Sequence, residues 1–203
     1  MTRTAFLSLV LIVFALVSCG GSGRPEATTF QGVLQGEPNY LNYVPYSSAY
    51  EAQAIGLLYT SLFEIDMNAT NALRPALATN ITISPDKRSL TVHLRRDAVW
   101  EDGKPVTAHD VEYTWRMILD PASGAQNKIS DLAEIGTLTV HDDWSFTAVW
   151  KKPHVNAKMV LAGMTPIPKH VWQGKEMRDP VLNRKPVGNG PWKFHEWKTG
   201  RHI

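Results

Sequence analysis

Seven histidines, a single cysteine and several acidic side chains are the residues of this chain that could do chemistry. Histidine metal sites usually place two ligands at a short fixed spacing, such as His-Glu-x-x-His, so that both share one helix face. The seven histidines show no such spacing, and the nearest cluster of potential ligands is His109, Asp110 and Glu112. That cluster fits the polar first turn of a helix better than a metal site. We therefore predict no metal and no other cofactor.

Motifs for covalent catalysis are also missing from the sequence. It contains neither a Gly-x-Ser-x-Gly elbow nor a phosphate-binding loop, and Cys19 lies too close to an apolar N-terminal segment to act as a nucleophile. Seven tryptophans could include residues that stack on a ligand, although large aromatic side chains more often pack in cores and interfaces. The sequence therefore shows no catalytic constellation, and an enzymatic function is not expected.

Residues 86–121 contain the most regular pattern of the chain, which predicts a strand, a tight turn and a capped helix in one unbroken run. Leu90, Val92 and Leu94 alternate with polar residues, which predicts a half-buried strand. Asp102-Gly103 predicts a tight turn, because glycine tolerates the positive φ that such turns often need.

A helix is predicted to follow that turn. Thr107 is a suitable N-cap, and Asp110 can act as its partner in a capping box where Glu or Gln is usual. Val111, Trp115 and Ile118 recur at helical spacing, and the pair Asp120-Pro121 predicts the end of the helix. Trp100 and Trp115 are therefore expected to serve the scaffold.

The remaining elements are predicted from shorter patterns. Residues 49–63 read as a helix, 137–141 and 145–150 as a hairpin, 155–164 as a short helix and 192–197 as a strand followed by a turn at 198–200. The formal net charge of the chain is only +2, which gives no electrostatic argument for nucleic acid. Its 43% hydrophobic and 20% charged residues are typical of a folded domain.

The N-terminus carries a targeting pattern. Residues 1–18 combine Arg3 with an apolar run that is shorter than the roughly 20 residues of a membrane-spanning helix, which predicts a secretory signal peptide. Leu16-Val17-Ser18-Cys19-Gly20 resembles a bacterial lipobox, which implies lipidation of Cys19 and attachment to a lipid bilayer. Residues 19–29 are rich in glycine and predict a flexible tether.

Three motifs resemble one protein family. Residues 94–111 read Leu-Arg-x-x-x-x-Trp-x-Asp-Gly-Lys-Pro-Val-Thr-Ala-x-Asp-Val, residues 73–78 read Leu-x-Pro-x-Leu-Ala, and residues 186–192 read Pro-Val-Gly-Asn-Gly-Pro-Trp. Together they resemble the bacterial extracellular solute-binding proteins of family 5, the oligopeptide- and dipeptide-binding receptors of ABC importers. Asn189 stands where that family usually has Thr or Ser, and Trp192 where it has Tyr or Phe.

The resemblance implies a mixed α/β (α+β) fold of the periplasmic-binding-protein-like type II class, in incomplete form. Residues 30–48 would begin lobe I, residues 49–185 would form an inserted α+β subdomain, and residues 186–203 would return to lobe I. Arg201-His202-Ile203 would begin a partner strand for residues 192–197. Family members are much longer, so we expect the chain to be an N-terminal fragment, truncated as that partner strand begins.

The resemblance also implies a ligand site and partners. Glu37, Pro38, Asn39 and Tyr40 are expected to line the ligand cleft, and Asn189 and Gly190 to lie near the crossing between lobes; the alternative is that all six only shape turns. The expected partners are an oligopeptide or other small polar solute, the permease subunits of an ABC importer and, through Cys19, a lipid bilayer. The protein would be exported to the periplasmic or cell-surface side. The alternative function is a non-transport surface lipoprotein, such as a signalling receptor or an adhesin.

Overall fold

The computed structural model describes residues 32–66, 72–125 and 128–203. Residues 1–31 lie outside it, and with them the predicted signal peptide, the tether and Cys19. Within the described residues, the strands are β1 (Phe63–Ile65), β2 (Leu73–Pro75), β3 (Ala78–Ile83), β4 (Ser89–Leu94), β5 (Ile135–Asp142) and β6 (Ser145–Trp150). The helices are α1 (Ala49–Leu58), α2 (Ala108–Leu119), α3 (Ile129–Leu132), α4 (Ala157–Ala162), α5 (Lys169–Trp172) and α6 (Pro180–Asn183). No described helix is long and apolar enough to cross a membrane.

A four-stranded antiparallel sheet in the order β3-β4-β6-β5 is the frame of the compact unit Leu34–Ile203. The predicted strand at 90–94 and the predicted hairpin are both confirmed. Leu90, Val92 and Leu94 face the core from β4, where they are at most 6% exposed. The other face of the sheet is polar, and a row of four threonines crosses all four strands in register: Thr82, Thr91, Thr147 and Thr139. The alternation in sequence therefore decides which face of the sheet is buried.

Helix α2 closes the buried side of the sheet and has the predicted boundaries. The Thr107 amide donates to the Asp110 carboxylate (2.8 Å), which satisfies a donor that the first helical turn leaves free. Val111 and Ile118 are fully buried, and Trp115 packs against the core with its indole N–H on the Leu132 carbonyl (3.2 Å). Trp100 is 1% exposed, so the expected scaffold role of both tryptophans is confirmed.

Helix α1 ends earlier than predicted, at Leu58 rather than at residue 63. The Leu58 carbonyl accepts the amides of Asn189 (3.0 Å) and Gly190 (2.9 Å), while Tyr59 adopts an extended conformation. The Leu62 amide then donates to Met164, where a continued helix would need Leu58 as its acceptor. Contacts with distant parts of the chain thus replace the last predicted helical turn.

The predicted strand at residues 192–197 is wrong. Two donors of this segment form hydrogen bonds with distant residues and not with a neighbouring strand. The Trp192 amide donates to the Leu57 carbonyl (3.2 Å), and the Trp197 indole donates to Glu37. The predicted turn at 198–200 is present, with Gly200 at φ 70° and a single bridge between Lys198 and His202. The helix predicted at 155–164 is shorter, from Ala157 to Ala162.

Candidate functional site

The predicted cleft residues Asn39 and Tyr40 are held by a buried carboxylate. Glu51 in α1 is fully buried, and its Oε1 accepts the amides of Asn39 (2.8 Å) and Tyr40 (3.1 Å). Its Oε2 accepts the amides of Ser47 (2.9 Å) and Ser48 (3.0 Å) and the Ser48 hydroxyl (2.9 Å). One side chain therefore fixes both ends of the loop that precedes α1.

The charge of Glu51 is stabilised by these donors. Burial disfavours the charged form, but the hydrogen bonds from Ser47, Asn39 and Ser48 outweigh it, so the pKa of Glu51 lies below its usual value. The sequence analysis missed this residue. Its signal was present, since Ser48-Ala49-Tyr50-Glu51 has the S-x-x-E spacing of a capping box, and the structure contains both of its hydrogen bonds.

Glu37 and Pro38, the other predicted residues of this segment, have different surroundings. The exposed Glu37 carboxylate accepts the Gly200 amide (3.0 Å) and the Trp197 indole N–H, and these two bonds lower the pKa of Glu37. Pro38 is buried. Glu37 thus joins the segment at 37–40 to the turn at 198–200.

A lysine from a distant part of the chain packs against the loop that Glu51 holds and stacks on two tyrosines of that loop. The Lys128 ammonium is 3.5 Å from the centroid of the Tyr46 ring and 5.2 Å from that of Tyr43. It donates to the carbonyls of Val44 and Tyr46, both at 3.3 Å. We call Tyr43, Tyr46 and Lys128, all three half-buried, the Lys128 site.

Electrostatics separate this lysine from the other described cations. Burial lowers the pKa of Lys128 to about 8, against an opposing effect of the negative Glu51. Burial also raises the pKa of Tyr46 and that of Tyr43, so both hydroxyls stay neutral. Perturbed titratable groups on a half-buried surface are typical of functional sites. The sequence analysis missed Lys128 because 82 residues separate it from Tyr46, and no local pattern joins them.

Asn189 and Gly190 lie at the other end of α1. The Thr60 amide donates to Asn189 Oδ1 (2.9 Å), and a Cβ on Gly190 would lie 2.6 Å from the Leu57 carbonyl oxygen. Only glycine permits this close approach of two backbones. No hydrogen bond among the described residues joins this pair to residues 37–40, so the six predicted residues form two separate groups.

A cavity of about 540 Å³ opens beside Asn189. Arg74 and Arg95 are among its lining residues, and each is already paired, Arg74 with Glu64 and Arg95 with Asp97 (2.6 Å). Within the described chain, Asn189 Nδ2 is buried without a hydrogen-bond partner.

The acidic cluster at the start of α2 has a structural role. Asp110 is buried and accepts the Lys169 amide (2.8 Å), which ties α2 to α5. Glu112 pairs with Arg116 one turn further along (2.7 Å), and His109 is exposed. No three His, Cys, Asp or Glu side chains in the described ranges come together as a metal site.

Comparison with known proteins assigns the chain to a family. The family model of bacterial extracellular solute-binding proteins, family 5 (Middle), matches residues 72–203. The chain belongs to this family. The mixed α/β fold predicted from the sequence is thereby confirmed, and family 5 members are binding proteins rather than enzymes.

Relatives and solved structures agree with this assignment. The chain is 30% identical to the dipeptide-binding protein DppE of Bacillus subtilis over 144 residues, which is 64% of this chain and 26% of that protein. It is 25% identical to the oligopeptide-binding protein OppA of Bacillus subtilis, over 99% of this chain and 42% of that protein. The family 5 chain therefore spans from about a quarter to about two fifths of these relatives.

Solved structures of the family superimpose on the same region. AppA from Bacillus subtilis in complex with a nonapeptide matches with a TM-score of 0.71 and 25% identity, over 81% of this chain and 33% of AppA. NikZ from Campylobacter jejuni in complex with Ni(L-His) matches with a TM-score of 0.72 and 26% identity, over 82% of this chain and 33% of NikZ. One fold thus carries a peptide in one relative and a metal chelate in another.

Proposed function

We propose that this chain is part of the solute-binding component of an ABC importer and that its solute is a peptide or a similar small polar molecule. The family assignment supports the receptor role, and the Lys128 site supports the binding of a polar solute. The observation that carries the proposal is a half-buried cation stacked on two aromatic rings, on a loop that a buried carboxylate holds at both ends. Such preorganisation lowers the entropy that binding would otherwise cost.

The segment at 37–40 contributes the rim of this surface. Because Glu51 accepts the amides of Asn39 and Tyr40, their backbone is fixed while the Asn39 side chain is exposed and the Tyr40 side chain is half-buried. Because Glu51 occupies these two amides, an extended peptide would meet the Asn39 and Tyr40 side chains at this point rather than the amides. Asn189 and Gly190 support the same surface indirectly, by fixing the C-terminal end of α1.

The binding proposal is tested by exposing the purified protein to a mixture of random tripeptides and hexapeptides. After dialysis, native mass spectrometry should detect complexes with a subset of the peptides. Replacing both Asn39 and Tyr40 by alanine should weaken that retention and leave the thermal midpoint within a few degrees of the wild type. Retention of no peptide by folded protein would contradict the proposal.

Export and anchoring form a separate part of the proposal. Lipidation of Cys19 would tether the protein to a bilayer on the periplasmic or cell-surface side, where it would deliver its solute to the permease subunits. Labelled palmitate should be incorporated into the wild type and not into a Cys19→Ala variant in the native host. Equal labelling of both proteins would refute the lipidation of Cys19 and leave the binding proposal in place.

A further inference from the structure

The charge of Lys128 has no acidic partner among the described residues. Described lysines and arginines that form ion pairs do so at the surface, for example Lys152 with Glu134 (3.7 Å). Glu51 is the carboxylate that most affects Lys128, but both of its oxygens are already occupied by backbone amides and the Ser48 hydroxyl. A half-buried cation that no described carboxylate contacts provides a place for an anionic group of a ligand.

The hydrogen bonds of the Lys128 ammonium group also indicate a place for a ligand group. An ammonium has three N–H bonds, and those of Lys128 meet two carbonyl oxygens, of Val44 and of Tyr46, both at a long 3.3 Å. Among the described residues no acceptor takes the third N–H, which leaves it for a group outside this loop. Because the two tyrosine rings confine the ammonium, that acceptor would meet a cation whose position is already fixed.

We propose that Lys128 binds a carboxylate of the solute, so that this receptor selects peptides or related molecules that carry a free carboxylate next to Tyr43 and Tyr46. This inference rests on the proposed function and adds the chemical class of group that the site recognises. An ammonium next to a carboxylate forms a charge-assisted hydrogen bond, which is stronger than one between neutral groups. A solute group with a positive charge would be repelled from the same position.

The protonation state of Lys128 is compatible with this role. Burial lowers its pKa to about 8, so the side chain is still mostly protonated at pH 7. A bound carboxylate would favour the charged form and raise the pKa again. The competing explanation is that Lys128 only clamps the loop by bonding Val44 and Tyr46, and in that case the charge of the solute would not matter.

Four forms of one peptide separate these explanations. Trialanine, N-acetyl-trialanine, trialanine amide and N-acetyl-trialanine amide differ only in which end is charged, and each is titrated by calorimetry at pH 7. We expect the two forms with a free carboxylate to bind about ten- to a hundredfold more tightly than their amides, as the loss of a hydrogen bond to a charged group implies. Equal affinities of acid and amide forms would overturn the inference.

Variants assign that preference to Lys128. Lys128→Met keeps the aliphatic stem and removes the charge, so it should reduce the preference for the acid forms to within about twofold, whereas Lys128→Arg should retain most of it. Lys152→Met is the matched control, because Lys152 is exposed and pairs only at the surface. An undiminished preference in Lys128→Met would refute the role of Lys128.

Wild-type protein gives an answer even if Lys128→Met does not fold. In a sample with ¹³C-labelled lysine, the pH midpoint of the Lys128 Cε resonance should rise when N-acetyl-trialanine saturates the site. It should not rise with N-acetyl-trialanine amide. An unchanged midpoint with the bound acid would contradict the inference, while failure of all four peptides to bind would count against the proposed function itself.

Discussion

Replacing Glu51 by glutamine tests how the loop before α1 is held. Glutamine has the same shape but only one acceptor oxygen. In its best orientation, that oxygen keeps the three donors of Ser47 and Ser48, and the new NH₂ group faces the amides of Asn39 and Tyr40. Two donors then lose their acceptor.

The magnitude follows from how well water can reach those two amides. An unsatisfied buried donor costs about 1–3 kcal/mol. Asn39 is exposed and Tyr40 only half-buried, so the lower end of that range applies to each. We expect Glu51→Gln to lower the free energy of unfolding by about 2 kcal/mol.

Urea denaturation followed by tryptophan fluorescence measures this change. The matched control is Glu64→Gln, because Glu64 is 44% exposed and pairs with Arg74 at the surface, where ion pairs contribute at most about 1 kcal/mol. Amide hydrogen exchange should become faster at Asn39 and Tyr40 in the Glu51 variant. Unchanged exchange at both amides, with a free energy within about 0.5 kcal/mol of the wild type, would refute this reasoning.

The stability of the wild type and that of Glu51→Gln should depend differently on pH. Burial disfavours the charge of Glu51, but its hydrogen bonds prevail and lower its pKa below the ordinary 4.5. A lowered folded-state pKa stabilises the fold fully above the unfolded-state pKa, and this contribution is lost as the pH falls through the folded-state value. The stability difference between wild type and Glu51→Gln should therefore be constant above about pH 5 and shrink below about pH 4.5.

Further predictions concern the contacts that fix α1 and α2. Gly188→Ala should cost about 3 kcal/mol or prevent folding, because its Cβ would lie 2.1 Å from the Leu58 carbonyl oxygen; thermal melting measures this, and a wild-type midpoint would contradict the close approach. Gly56→Ala in the middle of α1 is the contrasting change, and it should stabilise the protein by about 0.5–1 kcal/mol, since nothing lies within 4 Å of the new Cβ. Asp110→Ala should cost about 2–3 kcal/mol by removing the acceptor of the Lys169 and Thr107 amides, and a loss below about 0.5 kcal/mol in urea denaturation would show that these bonds do not stabilise the fold.

Local chemistry explains which elements could be predicted from the sequence. Residues 86–121 were predicted well because strand alternation, the Asp102-Gly103 turn and the Thr107 cap act within a few residues of each other. The end of α1 and the segment at 192–197 were not predicted, because the Leu57 and Leu58 carbonyls form hydrogen bonds with residues more than 130 positions away. Such contacts leave no periodic trace in the sequence.

The residues of the candidate site also differ in whether the sequence could predict them. Glu51 could have been found from its capping-box spacing with Ser48, although that spacing does not show that it also accepts the amides of Asn39 and Tyr40. Lys128 could not have been found, because its relation to the tyrosines exists only after folding. The resemblance in sequence indicated the family, and the structure added the charge and the aromatic rings that make a ligand class testable.

Intermolecular nuclear Overhauser effects test most directly whether the Lys128 site is where this chain meets its solute. The protein would be saturated with N-acetyl-trialanine, and contacts from the alanine methyl groups to the protein would be recorded. We predict contacts to the ring protons of Tyr43 and Tyr46 and to the Lys128 side chain. Contacts confined to residues that line the cavity beside Asn189, with none to the tyrosine rings, would contradict the account.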